Sequence, residues 1–548
     1  MAFTIGPKRA GTAAGMLLAG LASAQAQALP GGTDAGAISQ STQQIQRDAL
    51  TPPRVPGAAA GVVSPEVGQP IVFPPGGPTF ILKSVVFTPS SLLPQADLDA
   101  IAAAHVGKAV DLAALQGIAN SVNTLYAERG FVTASAVLPP QDLATGTLQV
   151  ALIEGKVGQV TANGRQTIDQ TFLTRALPLD AGTVVDAPKL TGAVDRFNRT
   201  STAQMQASLQ PGSQFGLTDI ALSVSEPRRN TLQVFGDNLG VDSVGKYEGG
   251  VLFQHYGLLG YDDRFTLYGL VAEGNLFGNA SFNMAVTPYG TRAGVSYSRS
   301  AIEIIDGPFE AIEVEGDSET FALNFSHPLY NAGPFILLGN AAASLGRSST
   351  DQSSVTITDD ETRKGTVGLT ASYFGPTFSL TLSPSISLAH ADLKIVDSEI
   401  DFTLFQLSGN ASLKLDERTL LVARGYAQAS NQSLLPGSDL FQIGGPATVR
   451  GYPTSAVSGD SGYYANLELY HSLDRFIEGL EGFAFVDNGT TFADFPSHVT
   501  LTSAGLGANY NWNDRLRAEV SVGIPLARDE VPDQGDATFY ARLVATIL

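Results

Sequence analysis

Few residues in this chain are spaced for covalent chemistry. Its six histidines, His105, His255, His327, His390, His471 and His498, are scattered, with no HExxH pair or other ligand spacing. No GxSxG elbow or phosphate-cradling glycine loop occurs. Without cysteine there is no thiol nucleophile and no thiolate metal ligand. Two acidic pairs, Asp262–Asp263 and Asp359–Asp360, fall in expected connections, where solvated acids or surface Ca²⁺ sites are the common outcome. No catalytic residue, cofactor or metal site is therefore expected, and no enzyme. What stands out is electrostatic: the stretch "FVDNG", Phe485 to Gly489, places Phe485 and Asp487 on one parity of an extended strand. Where such a strand borders lipid, the carboxylate has to turn to the wet side. An arginine brought there can grip Asp487 with a bidentate guanidinium fork and stack on Phe485. Losing one member of a shielded pair costs about 3–5 kcal/mol, whereas an exposed pair contributes at most about 1.

The elements that must hold such a pair are legible in "TFSLTLSPSISL", Thr377 to Leu388, where apolar and hydroxyl residues alternate throughout. A period of two means a strand between two environments. Either a soluble sandwich or a transmembrane barrel supplies them. Composition favours the barrel, because only 15% of residues are charged, against roughly 25% in an average soluble protein. The net charge of −20 argues against a nucleic-acid partner, since no basic stretch offers phosphates a partner. Absence of cysteine suits passage through an oxidising compartment.

Lys8 and Arg9 precede an apolar run and then "ASAQAQA", as a secretory signal requires. The run holds only about 10 strongly apolar residues where a span needs about 20, so residues 1–28 are expected to be a signal peptide. An exported chain without an anchor helix enters a membrane only as a barrel. Residues 29–50 predict a polar helix with Ile38, Ile45 and Leu50 near helical spacing, which read alone is a frayed, exposed helix. Residues 51–78 are rich in proline and glycine and predict an extended linker.

Residues 79–155 predict β-α-α-β-β, with Asp111 as an N-cap, Gly130 beyond the helix end, and Leu112, Leu115, Ile118, Val122 and Leu125 as core. Residues 156–227 repeat the pattern. Beyond Pro227 no helix is expected, and residues 228–548 divide into sixteen antiparallel strands. Short links at 289–290, 375–376, 415–418 and 511–514 alternate with long ones at 300–317, 347–362, 390–400, 431–461, 489–502 and 525–536. Tight turns on one rim and long loops on the other point to an outer-membrane barrel. Pro384 interrupts the clearest strand, and a local bulge is expected there because proline cannot donate to the ladder.

The run "LYAERGFVTASAVLPPQDLATGTLQVALIEGKVGQVTANG", Leu125 to Gly164, resembles the POTRA domains of the haemolysin secretion/activation family, the TpsB-type transporters of two-partner secretion. The matching features are the aromatic-Gly-aromatic start, the Pro140–Gln141 pair and the strand ending in Glu154–Gly155. The fold implied is a membrane all-β barrel of 16 antiparallel strands preceded by two small α+β POTRA domains. In that family a VRGY sequence in the loop between strands eleven and twelve folds back into the lumen. Here it is Val449, Arg450, Gly451 and Tyr452, with the companion motif Phe485, Asp487 and Gly489 on strand thirteen. Arg450–Asp487 is thus expected to latch the loop inside the barrel. Leu548 departs from the family's aromatic ending, although Phe539, Leu543 and Ile547 supply an apolar face.

The resemblance implies a Gram-negative outer-membrane transporter with its POTRA domains in the periplasm and residues 29–50 plugging the lumen at rest. Its partner would be a large secreted β-helical exoprotein with an N-terminal secretion domain. Outer-membrane lipid and periplasmic chaperones are further partners, and the transporter is expected to be a monomer. A barrel-assembly factor of the same superfamily is the alternative, which two POTRA copies disfavour. A passive porin explains the barrel but not residues 79–227.

Overall fold

The computed structural model describes residues 34–50, 62–63, 74, 76–307, 309–492, 498–513, 515–527, 531 and 534–548. The signal segment expected over 1–28 lies outside them.

Two α+β units come first. In one, strands Ser84–Phe87, Thr147–Glu154 and Ala134–Val137 form a sheet in that order, covered by helices α2 (Gln95–Ala103) and α3 (Leu112–Glu128). Asp111 caps α3 by accepting from Ala114 N at 2.8 Å, and Gly130 follows its end at φ +77°. Leu115, Ile118 and Val122 are buried in the core and Leu125 packs beside it. Leu112, expected with them, sits on the first turn and is exposed. The other unit has helices α4 (Gln170–Arg175) and α5 (Ala187–Thr200) on strands Gln204–Pro211, Leu217–Ser225 and Lys156–Asn163.

One polar device marks the two units as copies. Each carries, at or just beyond the end of its last strand, a glutamate that binds the loop leading into the unit's first helix. Glu154 accepts from the Ser90 and Ser91 hydroxyls, both at 2.5 Å, from Ser91 N at 2.9 Å and from Tyr126 OH at 3.0 Å. Glu226 accepts from the Thr167 hydroxyl at 2.5 Å, Gln166 N at 2.8 Å and Ile168 N at 3.1 Å. Partial burial pushes both carboxyls up, but these donors outweigh it and hold both below the ordinary glutamate range.

The remainder is a closed barrel of sixteen strands, each antiparallel to its neighbours. They are β1 (Asn230–Asp237), β2 (Glu248–Tyr256), β3 (Arg264–Val271), β4 (Asn275–Ala285), β5 (Arg292–Glu303), β6 (Val314–Ala332), β7 (Phe335–Gln352) and β8 (Val355–Phe374). The second half comprises β9 (Phe378–Leu393), β10 (Ser398–Lys414), β11 (Thr419–Ser430), β12 (Ser461–Ser472), β13 (Leu480–Phe492), β14 (His498–Trp512), β15 (Leu516–Pro525) and β16 (Thr538–Thr546). All sixteen expected strands are present. Closure between β1 and β16 runs over the five pairs from Gln233↔Thr546 to Asp237↔Arg542.

Parity divides the wall as its alternation predicts. In β9, Leu382, Ile386 and Leu388 are exposed on the outer face while Ser379 and Ser387 are buried on the inner one. Helix α1 (Ala35–Leu50) identifies the inner face. Ala35 N donates to Thr350 Oγ1 at 3.3 Å, Gln43 Nε2 to Ser298 Oγ at 3.4 Å, and Asn275 Nδ2 to Thr42 Oγ1 at 3.3 Å. The exposed, frayed helix read from these residues is therefore corrected: α1 lies within the lumen, with Ala35, Ala37, Ile38 and Thr42 buried. A water-lined lumen needs no apolar stripe on the helix that fills it.

Three other expectations are corrected. The long connections at 347–362 and 390–400 are largely strand, because β6 to β10 run 16 to 20 residues each and stand above the membrane as tall hairpins. A tilted span needs about 9–11 residues, so the excess is extracellular, where strands no longer need an oily face. Asp359 and Asp360 accordingly belong to β8. Pro384 makes no bulge. It stays in register opposite Leu407, and on its other side the β8–β9 pairing lapses between Gly368↔Ser385 and Ala371↔Leu382 and resumes unshifted. A hydroxyl contact, Thr370 to Ser383 at 3.1 Å, spans the lapse. A bulge does occur beside another proline, between Pro328 and Tyr330.

Asp262 and Asp263 are not solvated acids but fully buried ones. Asp262 sits in the β2–β3 turn and accepts from Thr202 N at 2.8 Å, Ala203 N at 3.0 Å and Tyr256 OH at 2.7 Å, and it pairs with Arg292 at 2.6 Å. Asp263 accepts from Leu258 N at 2.7 Å and Leu259 N at 3.0 Å. Asp262 thereby joins the second α+β unit to the barrel's periplasmic rim, while Asp263 closes the β2–β3 turn.

Candidate functional site

The connection between β11 and β12 enters the barrel. Its strands Phe441–Ile443 and Val457–Gly459 pair with each other, and Val449 and Tyr452 are fully buried in a cluster with Phe441, Ile443, Val457 and Leu501. Between them Arg450 reaches the wall. Its Nε and Nη2 donate to Asp487 Oδ2 and Oδ1, each at 2.7 Å, and its main-chain N donates to Oδ2 at 3.1 Å. The guanidinium carbon lies 3.5 Å from the centre of the Phe485 ring. This is the fork and stack expected from "FVDNG", on β13 as the parity requires: Phe485 and Asp487 are buried while Val486 is exposed between them.

The structure also assembles residues the sequence reading missed. Glu468 of β12 accepts from Arg450 Nη1 at 2.7 Å and from Arg424 of β11 at 2.8 Å. Two guanidinium groups thus meet two carboxylates, and the buried charges balance. Asn466 fixes the cluster by donating to Asp487 Oδ1 at 2.8 Å and to Thr448 O at 2.5 Å. Glu468 was within reach of the argument applied to Asp487, since a mid-strand carboxylate in "YYANLELY" must also face the lumen.

The remaining motif residues make close approach possible. Gly451 has φ +94° and lies against Gly523 of β15, whose main-chain carbon would sit 3.0 Å from an added Cβ. A Cβ on Gly523 would meet Gly451 N at 2.5 Å. Tyr540 OH accepts from Gly451 N at 2.9 Å and donates to Tyr452 O at 3.2 Å, while Tyr452 OH bonds the Thr502 carbonyl at 2.9 Å. Gly489 leaves room for Val449, 3.0 Å from where its Cβ would be. All seven residues read from the motifs, Val449 to Tyr452, Phe485, Asp487 and Gly489, therefore converge on one contact between loop and wall.

The same loop meets α1 from its other side. Gln442 Nε2 donates to Ala37 O at 3.0 Å and Ser455 Oγ to Ser41 Oγ at 2.8 Å. Beside the Arg450 cluster a cavity of about 800 Å³ opens, lined by Arg264, Arg424, Arg450, Arg515, Arg517 and Arg542 with Glu468, Glu481 and Glu519. Among the described residues the histidines form no ligand set around this lumen. His390 lies instead on the extracellular wall, at 2.9 Å from Asp401 and 3.3 Å from Asp392, with a Glu399 oxygen within 4.8 Å of the His390 and Asp392 donors.

Comparison with known proteins agrees with this architecture. Residues 216–510 match the family model for haemolysin secretion/activation protein ShlB/FhaC/HecB, and residues 80–155 match that for the ShlB-type POTRA domain. The outer membrane transporter CdiB of Dickeya dadantii is 26% identical over 485 residues, covering 82% of this chain and 84% of the relative. The heme/hemopexin transporter protein HuxB of Haemophilus influenzae strain 86-028NP is 23% identical over 491 residues, covering 81% of this chain and 82% of the relative. The solved structure of CdiB from Escherichia coli superposes with a TM-score of 0.70 at 22% identity, covering 95% of this chain and 100% of that one. The resemblance read from Leu125 to Gly164 is borne out: the chain belongs to the haemolysin secretion/activation family, and it is an outer-membrane β-barrel transporter of two-partner secretion.

Proposed function

We propose that the two α+β units, the second included as a POTRA domain, take up an unfolded secreted partner in the periplasm, and that the barrel conducts it outward once α1 has left the lumen. The reading assigns residues 29–50 to a resting plug, 51–78 to its tether and 228–548 to the pore. The partner is a large β-helical exoprotein with an N-terminal secretion domain, delivered by periplasmic chaperones to a monomeric transporter that performs no catalysis. In this scheme the Arg450 cluster holds the β11–β12 loop against β13, so that the loop stays inside the pore when the helix departs.

The observation that carries the reading is the bidentate Arg450–Asp487 pair, which buries two opposite charges between the inward β11–β12 loop and the barrel wall. A double-mutant cycle of Arg450→Ala and Asp487→Ala in an export assay tests it. Each single change leaves a buried charge without this partner and should cost about 3–5 kcal/mol of loop anchoring, with the double change costing less than the sum. Additive effects, or wild-type export from both single variants, would refute the latch.

A further inference from the structure

The outward face of the wall from β5 to β10 carries an ordered line of charge. Arg299 of β5, Glu319 of β6, Arg347 of β7, Glu361 of β8, Asp392 of β9 and Glu399 of β10 are register partners in turn, so they run side by side across neighbouring strands. They share the outward parity of the exposed Tyr297, Phe321, Leu345, Val367, Leu388 and Phe405. The next outward line towards the membrane reads Tyr297, Phe321, Leu345, Arg363, His390 and Asp401, and the one after it, from Val295 to Thr403, has no charge. Oil thus gives way to charge over about 14 Å of strand, at about 3.4 Å per residue. The opposite sector differs. At the extracellular ends of β3, β4, β12, β15 and β16 the outward residues are Val271, Leu276, Tyr463, Ile524 and Phe539, exposed and uncharged.

Each base on this face is braced by a carboxylate. Arg299 Nη2 meets Asp317 at 3.2 Å, Arg347 Nη2 meets Asp359 at 3.5 Å, Arg363 Nη2 meets Asp392 at 3.4 Å, and Lys394, just past β9, meets Glu361 at 2.5 Å. Exposed pairs of this kind add little to stability, so the fold alone does not account for a whole line of them. What they do is hold the bases spread along the wall. A guanidinium has five N–H donors, so each arginine can keep its carboxylate and still grip a phosphate. From β5 to β9 the bases span about 19 Å, at about 4.8 Å per strand. That width suits a broad headgroup bearing several phosphates better than a single phosphodiester. Glu319 and Glu399, outside these pairs, call for divalent cations, the counter-ions that such headgroups bring with them.

We propose that this face of β5–β10 binds the multiply phosphorylated glucosamine headgroup of outer-leaflet lipopolysaccharide through Arg299, Arg347, Arg363 and Lys394, and so ties the wall opposite the β1–β16 closure to the leaflet. The proposal rests on the barrel's place in the outer membrane and on neither the latch nor the plug. Its test titrates the full chain, purified in detergent, with purified lipopolysaccharide. R299A/R347A/R363A/K394A should bind at least about tenfold more weakly than the parent chain, because each basic residue at a phosphate surface adds to the attraction. R228A/R229A/R418A/R475A, which removes as many exposed bases from the periplasmic side, should bind as the parent does. The parent chain should lose comparable affinity when the lipopolysaccharide is first dephosphorylated, and that arm decides even where the first variant fails to fold. Equal binding by the first variant and the parent, equal losses in both variants, or undiminished binding of the dephosphorylated lipid overturns the proposal. So does equal affinity for phosphatidylglycerol, which would make the face a general anion surface. A lipid-free dimer that the first variant abolishes would make a second copy the occupant, and overturns it too.

Discussion

Arg450 shows how much a single guanidinium is asked to do in this lumen. It bridges Asp487 and Glu468, stacks on Phe485 and arrives on a loop whose neighbouring residue, Gly451, is pressed against Gly523. The ion pair was readable because a carboxylate in a lipid-bordering strand declares its own direction. Gly523 was not, because a glycine in "SVGIP" looks like any barrel glycine until the opposing backbone is known. Its role yields a sharp expectation. Gly523→Ala puts a methyl 2.5 Å from Gly451 N, so the loop has to lift from the wall at an overpacking cost of about 1–3 kcal/mol. Protease should then cut within 431–460 several-fold faster, while heat-modifiability on gels reports an intact barrel. Unchanged cutting would mean that the two glycines do not set the loop's height.

Among the elements, strands were the most legible and connections the least. Parity carries a strand only while it has oil on one side, so β6 to β10 were cut short where "SSVTITDDETRKG" leaves the bilayer. The α+β units were read nearly whole, because capping residues and helical periodicity are local signals. Their glutamates were legible only as a strand ending, since Glu154 and Glu226 act across about 60 residues of chain. Both carboxyls have folded pKa values below the unfolded one, so the stability they supply is complete above about pH 4.3 and is lost as the pH falls through the lower folded values. Acid titration of the full chain in detergent should loosen both units before the barrel, as amide exchange in 79–227. Glu226→Gln should remove the pH dependence at 166–168 while leaving that at 90–92. A uniform acid transition across units and barrel would contradict this.

At the scale of the whole molecule, one wall of strands is joined to the second periplasmic unit by hydrogen bonds to the buried Asp262 and is filled by parts of its own chain. The closed barrel and its place in the outer membrane followed from alternation, low charge and rim sorting. The filling did not: α1 is a polar segment whose burial depends on a wet lumen and not on its own composition, and the β11–β12 loop was placed there by the family resemblance alone. The Val62–Val63 strand, which pairs with Gln204–Pro211, was invisible for a related reason: two residues in a proline-rich stretch carry no periodicity at all.

The helix in the lumen has an apolar seat at its first turn. Ala35 and Ile38 lodge among Val241, Val244, Ile302, Ile304 and Val314, whereas the stretch that follows meets the wall through hydroxyls and amides. In the proposed cycle uncorking is abrupt first and smooth afterwards: one step strips apolar surface from its seat, and water then substitutes for each remaining contact as the helix glides away. Single-channel closed dwell times should track the seat and ignore the glide. Ile38→Ser should shorten them about tenfold or more, in line with the 1.5–3 kcal/mol of a buried aliphatic side chain, and Gln43→Ala should barely change them. Equal shortening by both would mean that the cork is held along its whole length.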